Sequence, residues 1–153
     1  MIHTRTYVSP LGEILLAAEG GSLIGCWFRG QKHFPASLSA KPDEQSVLSQ
    51  AKQWLDLYFS GQQPDFMPPL APKGTAFQLQ IWDKLKTVPY GQTVTYGELL
   101  PGSARAVGAA VGRNPISLFI PCHRVVGKNG SLTGYAGGID KKTFLLQLEQ
   151  NNL

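Results

Sequence analysis

Residues 120–126 read IPCHRVV, and the second half of the chain is organised around this stretch. It holds Cys122 between a proline and a histidine, with an apolar segment before it and two valines after it. Pro121 fixes its own φ angle and biases Ile120 towards an extended conformation, so the backbone sets the position of the thiol. We therefore predict that Cys122 lies on a rigid, half-buried loop that is prepared for chemistry.

A free cysteine is more often a small buried hydrophobic residue than a nucleophile. Reactivity requires a polar, partly open environment that favours the thiolate. His123 and Arg124 follow Cys122 directly, and we expect them to supply that environment. Cys26 lies instead in a predicted strand, where packing is the expected role, and we assign it no chemistry.

The composition predicts a folded protein with a substantial core. The chain has 153 residues, of which 42% are hydrophobic and 16% charged, which suits one compact domain or two small ones that share an interface. The longest uninterrupted apolar run, residues 14–18, is too short for a membrane span or a signal peptide, so we expect a cytoplasmic location. Two unrelated cysteines and three scattered histidines indicate no disulfide framework, no metal and no cofactor.

Positive charge is concentrated in the half that contains Cys122. The net charge is +4, with five Lys/Arg against six Asp/Glu in residues 1–72 and nine against four in residues 73–153. A basic surface beside a reactive centre favours a polyanionic partner, and nucleic acid is the first candidate.

The first half is predicted to be a small antiparallel sheet with one helix. β-rich runs alternate with the turn sequences SPLG and GG, which predicts strands at residues 2–8, 13–18 and 22–28. Residues 30–43 are polar and contain prolines, so they are predicted as a loop. Apolar residues spaced three and four apart predict an amphipathic helix over residues 44–59.

A proline-rich segment divides the chain. Residues 62–74 contain four prolines, too many for a helix or a central strand, and are predicted to form a stiff extended linker. We place a domain boundary there, between residues 1–72 and residues 73–153.

The second half is predicted to be mainly helical. Apolar spacing and turn residues predict helices at residues 76–87, 96–100, 104–112 and 140–149. Their candidate N-cap residues are Thr75, Thr95, Ser103 and Asp140, in that order. In the last helix Phe144, Leu145 and Leu148 are expected to point inward. The tight turn at residues 101–102 joins the second and third helices into a helix-turn-helix candidate.

The third of these helices carries arginine at both ends. Its sequence, ARAVGAAVGR, has Arg105 in the first turn and Arg113 at the end. Packing explains its small residues but not the leading arginine, whereas helix N-termini and arginines both favour phosphate.

A nucleophilic cysteine needs a base, and the base needs an orienting group. His123 is adjacent to Cys122, so its ring is expected to point away from the thiol and to reach it through a bridging water. Glu149, on a terminal helix that must pack back onto the core, is the predicted orienting carboxylate.

Six runs of this sequence resemble one family over almost the whole chain: PCHRVV, ARAVGAAVGRNP, GYAGG, LLQLE, SPLGEILLAA and PYGQTVTYGEL. They are similar to the methylated-DNA–protein-cysteine methyltransferases, also called 6-O-alkylguanine-DNA alkyltransferases. The resemblance implies an α+β fold, with a small N-terminal antiparallel sheet and helix followed by a mainly helical, helix-turn-helix (winged-helix-like) DNA-binding domain that carries the cysteine. It also implies direct, single-turnover repair of alkylated guanine in double-stranded DNA.

The resemblance implies roles for individual residues. The catalytic set is Cys122 as alkyl acceptor, His123 and Glu149 as a water-linked relay, and Asn114 as a hinge. The resemblance also implies that Arg105 is the finger that replaces the extruded base and that Tyr96 crowds the phosphate and promotes flipping. Arg113 and Arg124 complete the predicted DNA-binding and base-flipping set. The guanine pocket is Val125, Tyr135, Ala136 and Gly137. The family commonly has serine at the position of Ala136, but that contact is made by the backbone N–H.

Other classes of function remain open. Non-catalytic relatives bind alkylated DNA with tryptophan at the acceptor position, and Cys122 argues against that function here. A cysteine hydrolase or redox enzyme would need an oxyanion site or a resolving thiol, and neither is visible. We expect a monomer; activity on 4-O-alkylthymine and cooperative DNA binding stay open.

One departure from the family pattern lies between Tyr96 and Arg105. Only residues 97–104 separate them, several fewer than in relatives, so the first helix of the helix-turn-helix is predicted to be very short.

Overall fold

The computed structural model describes residues 2–35, 40–42, 46–132 and 134–153. Its first half contains a four-stranded sheet in the order β3-β2-β1-β4. The strands are β1 (Ile2–Ser9), β2 (Gly12–Glu19), β3 (Ser22–Phe28) and β4 (Ala40–Pro42). β1 pairs antiparallel with β2, β2 pairs antiparallel with β3, and β4 is parallel to β1. The three predicted strands are confirmed.

The first helix, α1 (Ser46–Phe59), packs on this sheet. Its apolar stripe is buried, as its spacing predicts, and includes Trp54 and Tyr58. Two residues of the predicted helix, 44 and 45, lie outside the described residues. The predicted loop at residues 30–43 is wrong in part, because it contains β4. A three-residue strand with one proline has no alternating apolar pattern that would reveal it.

The outer edge of β3 is covered by two segments from later in the chain. Leu23 exchanges backbone hydrogen bonds of 2.8 and 2.9 Å with residues 69–71, in the proline-rich segment. Cys26 exchanges bonds of 2.8 and 3.1 Å with residues 115–117, just before the cysteine loop. Because these bonds satisfy backbone groups that an edge strand leaves unpaired, they tie the second half of the chain to the sheet.

The second half consists of α2 (Ala76–Leu85), α3 (Tyr96–Leu99), α4 (Ala104–Gly112) and α5 (Ile139–Asn151), with two short parallel strands, β5 (Val94–Thr95) and β6 (Val125–Val126). Thr75 and Thr95 cap α2 and α3, as predicted. Each forms a capping box, the first with Gln78 and the second with Glu98. α3 has only four residues, which confirms its predicted shortness.

The N-cap position predicted for Ser103 is confirmed, and three other local predictions in this half are wrong. Ser103 occupies the N-cap position of α4, but its side chain makes no capping hydrogen bond. Gly138, not Asp140, is the N-cap residue of α5, and its φ of 99° is one that glycine adopts without strain. Asp140 lies within the first turn, where a carboxylate still complements the helix dipole. Phe144 is exposed, and α5 continues past Glu149 to Asn151.

Among the residues that the structure describes, one hydrophobic core runs through both halves. Within this core, the ring centroids of Trp54, from α1, and of Phe119, which precedes the cysteine loop, are 4.3 Å apart. Across the described parts of the chain, no helix has the length and apolar character needed to cross a membrane.

Candidate active site

The backbone around Pro121 places the thiol. Pro121 has φ −80° and ψ 68°, and the N–H of Cys122 donates to the carbonyl of Ile120 at 2.8 Å. These are the features of an inverse γ-turn. A single turn of 3-10 helix, Cys122–Arg124, follows and leads into β6. The loop lies at the predicted position, but Cys122 is buried, with 5% of its surface exposed, rather than half-buried.

The Asn114 side chain stabilises the turn that leads into this loop. Its Nδ2 donates to the carbonyl of Ile120 at 2.8 Å, and its Oδ1 accepts from the N–H of Ile116 at 3.0 Å. Between these two residues the chain reverses through Leu118, whose φ of 75° is uncommon for a residue with a side chain. Asn114 thus holds both ends of a tight turn between α4 and Cys122.

The buried thiol of Cys122 is a weak acid in this environment. Burial raises its pKa above the usual value, and hydrogen bonds with the Asn114 and Ser117 side chains and the charge of Lys142 offset only part of that rise. The thiol is therefore protonated at neutral pH, and a base is required to make it a nucleophile.

His123 has the geometry of that base. Its Nε2 lies 2.6 Å from Oε2 of Glu149, and both side chains are inaccessible to solvent. Burial lowers the pKa of His123, which outweighs the opposing effect of Glu149. A neutral ring that donates from Nε2 leaves Nδ1 as an acceptor. Nδ1 is buried and has no hydrogen-bond partner among the described residues.

Glu149 remains ionised because donors surround it. Its two oxygens also accept from the Tyr58 hydroxyl at 2.6 Å, the Gly91 N–H at 3.0 Å, and Nε and Nη2 of Arg124 at 2.9 and 3.0 Å. Burial alone would raise the pKa of Glu149, but the interactions with His123 and Arg124 hold it well below its usual value.

The structure corrects the role expected for Arg124. Its guanidinium is buried, binds Glu149 with two nitrogens, and donates from Nη1 to the carbonyl of Val88 at 2.8 Å. These contacts direct it into the protein rather than towards DNA. They also direct it at Glu149 instead of Cys122, so Arg124 does not supply the positive charge that we expected beside the thiol.

A cavity of about 320 Å³ opens beside the loop that follows β6. Its lining combines this loop, the C-terminal end of α4 and the turn after β3: Lys32, His33, Gly108, Ala109, Gly112, Arg113, Gly134, Tyr135 and Ala136. Two of the four predicted pocket residues, Tyr135 and Ala136, line it. Gly137 lies behind Tyr135, where a Cβ atom would come within 2.9 Å of that ring. Val125 is buried, and its carbonyl accepts from Lys142.

The remaining predicted DNA-binding residues lie on α4 or against it, and of these Arg113 lines the cavity. Arg105 is exposed in the first turn of α4. Arg113 is exposed at the end of α4, with Nη1 2.9 Å from Nδ1 of His33. Tyr96 lies between α4 and the loop, since a Cβ atom at Gly108 would be 3.8 Å from its ring and one at Gly134 would be 3.3 Å from its hydroxyl.

Two family models match this chain. Residues 2–72 match the ribonuclease-like domain of 6-O-methylguanine DNA methyltransferase, and residues 76–151 match the DNA binding domain of the same family. The chain belongs to this methyltransferase family. The sequence is 44% identical over 156 residues to the methylated-DNA–protein-cysteine methyltransferase of Mycobacterium tuberculosis, covering 99% of this chain and 94% of the relative. It is 46% identical over 154 residues to that of Methanosarcina acetivorans, covering 97% and 98%.

Solved structures of methyltransferases agree with the fold. The crystal structure of the Mycobacterium tuberculosis O6-methylguanine methyltransferase superposes with a TM-score of 0.90 at 43% identity, covering 100% of this chain and 95% of the other. A structure of the Mycobacterium tuberculosis protein in complex with DNA also has a TM-score of 0.90, at 42% identity, covering 98% and 94%. The predicted α+β fold and family are confirmed.

Sequence reasoning missed two side chains in this methyltransferase site. Lys142 is buried and influences both Cys122 and His123 electrostatically. Its spacing of three from Leu145 and seven from Glu149 places all three on one helical face, which is a signal that the sequence does contain. Tyr58 was predicted to be core, and its hydroxyl contact with Glu149 cannot be read from the periodicity of α1.

Proposed function

We propose that Cys122 accepts the alkyl group of 6-O-alkylguanine in double-stranded DNA, in a single irreversible transfer that repairs the base. One observation carries this proposal: a buried cysteine on a fixed turn is followed by a histidine that is bound to a buried carboxylate. Membership of the methyltransferase family supports it.

The proposed transfer requires one proton movement and one displacement. His123 takes the thiol proton of Cys122 at Nδ1, through a bridging water, while Glu149 stabilises the imidazolium that forms. The sulfur then attacks the alkyl carbon, so that an S–C bond forms and the bond from that carbon to guanine O6 breaks. The proton removed from the thiol balances the proton that the released guanine takes up.

Lys142 assists the same step. Its ammonium is buried near Cys122, and its charge favours the thiolate. Because a charge is less screened away from water than at the surface, this stabilisation is largest when the thiolate forms inside the protein.

Access to the alkylated base requires base flipping, because the reacting carbon lies within the base stack. We assign the cavity beside Tyr135 and Ala136 to the extruded guanine. Arg105, exposed at the start of α4, fills the space left in the duplex, and Tyr96 and Arg113 contact the backbone near the cavity. Asn114 holds the turn between α4 and Cys122, as a hinge residue would.

We further propose the oligomeric state, the location and the domain roles of the protein. The chain acts as a monomer in the cytoplasm and requires no metal or cofactor for the transfer. Residues 1–72 form the supporting domain and residues 73–153 the domain that binds DNA. Alkylated thymine is a second substrate to be tested, since its alkyl group is also carried on an exocyclic oxygen.

Intact-mass measurement tests this function. The protein is mixed with duplex DNA that contains one methylated guanine, at DNA-to-protein ratios from below to well above one. We expect the added mass to saturate at one methyl group per chain, and Cys122→Ala to gain none. Methyl-guanine removal that continues beyond one event per chain, or binding of damaged DNA without any added mass, would contradict the proposal.

A further inference from the structure

Tyr58 links the N-terminal half directly to the catalytic relay. Its side chain is fully buried, and its hydroxyl lies 2.6 Å from Oε2 of Glu149. The same carboxylate oxygen is 2.6 Å from Nε2 of His123, and the Tyr58 hydroxyl is 3.4 Å from that nitrogen. Tyr58, which lies 65 positions before His123 in the chain, therefore donates to the carboxylate that orients His123.

The distances assign the hydrogen-bond roles. Glu149 is ionised, so both short contacts to Oε2 are donated, one by the tyrosine O–H and one by the histidine Nε2–H. With the ring proton held on Nε2, Nδ1 is the nitrogen that is able to accept the thiol proton. The Tyr58 hydroxyl oxygen is 3.4 Å from Nε2 of His123. In the alternative tautomer, which carries its proton on Nδ1, Nε2 would have no proton to donate to Glu149.

The position of the hydroxyl is fixed by aromatic packing. The Tyr58 ring stacks on Trp54 at a centroid distance of 5.3 Å and meets Phe59 and Tyr90 edge-on at 5.4 and 6.1 Å. Burial, followed by the charge and hydrogen bond of Glu149, raises the pKa of Tyr58 far above its usual value. The side chain is therefore a neutral hydrogen-bond donor at neutral pH.

A hydrogen-bond donor to Oε2 of Glu149 also changes the basicity of His123. The positive end of the O–H dipole points at the carboxylate and reduces the negative potential that His123 experiences. Several other groups face this cluster and act on it together: Arg124 from the 3-10 helix, Lys142 and Glu149 from α5, Tyr90 from the turn after α2, and Cys122 and Tyr135 from the site itself. Tyr58 differs from the others because it reaches His123 from the N-terminal half.

We propose that Tyr58 is a positioning residue of the alkyl transfer: its hydroxyl, held by the N-terminal half, sets the tautomer and the basicity of His123 through Glu149. This role rests on the proposed function of the His123–Glu149 pair. It gives the N-terminal half a part in the chemistry in addition to its part in the core.

The test compares Tyr58→Phe with Tyr7→Phe. Both remove a tyrosine hydroxyl that is bound to a carboxylate, but Tyr7 binds Asp56 at 2.7 Å on the outer side of α1, away from the site. Reaction with free benzylated guanine is measured from pH 5 to 9, because this substrate needs no base flipping. The His123 ring is titrated in parallel by NMR, with no substrate present.

For Tyr58→Phe we expect the His123 pKa and the acid limb of the rate profile to rise together by about 0.5 to 1 unit. Without the tyrosine O–H, no dipole offsets the negative charge of Glu149 that stabilises the protonated His123 ring. The plateau rate should fall about threefold to tenfold, because the ring is less firmly oriented. Tyr7→Phe should match the parent in both measurements. Incorporation of 3-fluorotyrosine at position 58, a stronger donor with the same shape, should move the His123 pKa in the opposite direction.

A Tyr58→Phe protein that loses rate but keeps the parent His123 pKa and acid limb would show a packing role only, and would overturn the proposal. If Tyr58→Phe fails to fold, the fluorotyrosine protein decides alone, and an unchanged His123 titration overturns the proposal. The reaction of the parent protein with the same substrate distinguishes a failure of this proposal from a failure of the proposed function. A parent that gains no alkyl group refutes the function, whereas a reactive parent with an unresponsive His123 refutes only the role of Tyr58.

Discussion

At the scale of single residues, the chemistry depends on a thiol that is protonated at rest. The raised pKa of Cys122 follows first from its burial, so reactivity must come from a nearby base rather than from a standing thiolate. We predict that His123→Ala and Glu149→Gln each slow alkyl transfer by on the order of a hundredfold or more, as for loss of general-base assistance. Rates with free benzylated guanine measure this effect.

DNA affinity provides the control for these two variants, because neither side chain reaches the surface. Binding of undamaged duplex should change little in both. A rate with free benzylated guanine that either substitution leaves unchanged would show that the relay assignment is wrong.

The buried ionisable residues also predict a pH range of greatest stability. Burial lowers the pKa of His123 below 6.5, and the pKa of Glu149, which burial alone would raise, is held below 4.5 by His123 and Arg124. As pH falls, these two side chains therefore take up protons in the unfolded chain before they do so in the folded protein. The free energy of unfolding consequently falls as pH drops below about 6.5. Burial raises the pKa of Cys122 above 9.0, so stability also falls above about pH 9.

Thermal melts from pH 4 to 10 check this prediction. The parent protein should have its highest Tm between about pH 6.5 and 9. Glu149→Gln should have a lower Tm at neutral pH but a shallower loss below pH 5, since its amide takes up no proton. A parent Tm that rises between pH 6 and 4 would contradict the titration of the buried pair.

At the scale of secondary-structure elements, α4 is predicted to be the element that enters the duplex. Arg105→Ala should slow repair in duplex DNA much more than reaction with free benzylated guanine, because only the duplex requires a side chain to replace the flipped base. Lys73→Ala removes the same charge from a side chain that is 70% exposed and bound to Glu19, and it is the matched control. Equal losses on both substrates in Arg105→Ala would reject the finger role.

The four-residue helix α3 predicts weak docking on DNA. It buries Leu99 but little else, so α4 rests on less apolar area than a longer first helix would supply. We predict that this protein binds duplex DNA less tightly than relatives with a longer first helix, while its rate with free benzylated guanine is normal for the family. Insertion of a family-length segment after Leu100 should lower the rate of dissociation from duplex DNA. Tight duplex binding that the insertion leaves unchanged would show that α3 docks well by other packing.

Elements with a regular apolar pattern could be predicted from the sequence, and irregular ones could not. The strands and helices through α4 lie close to their predicted positions, because their buried faces repeat with the period of the element. β4 and the cap of α5 depend on tertiary pairing and on a glycine φ angle. In the site, Cys122, His123 and Glu149 belong to recognisable motifs. Arg124 was misassigned because its position next to Cys122 and His123 in the sequence does not reveal that its side chain binds Glu149.

At the scale of the whole molecule, the two halves share one core and one site. The rings of Trp54 and Phe119 are in contact across the halves, and Cys26 of β3 pairs with the segment that precedes the cysteine loop. We predict a single cooperative unfolding transition, with coincident curves from far-UV circular dichroism and tryptophan fluorescence. Trp54→Ala should lower the free energy of unfolding by about 3–5 kcal/mol, the usual cost of truncating a buried tryptophan.

Two separate transitions would contradict the shared core. Phe144→Ala is the control for the second measurement, because that side chain is 39% exposed. Its loss of stability should be well under half that of Trp54→Ala.

Peptide-resolved mass spectrometry after reaction with methylated duplex DNA tests the central claim most directly. Trypsin separates the two buried cysteines, because Cys26 falls in the peptide of residues 6–29 and Cys122 in that of residues 114–124. The proposed mechanism predicts one methyl group on Cys122 in every reacted chain, carried as a thioether, and an unmodified Cys26. A methyl group on Cys26, or repaired DNA with both cysteines unmodified, would contradict it.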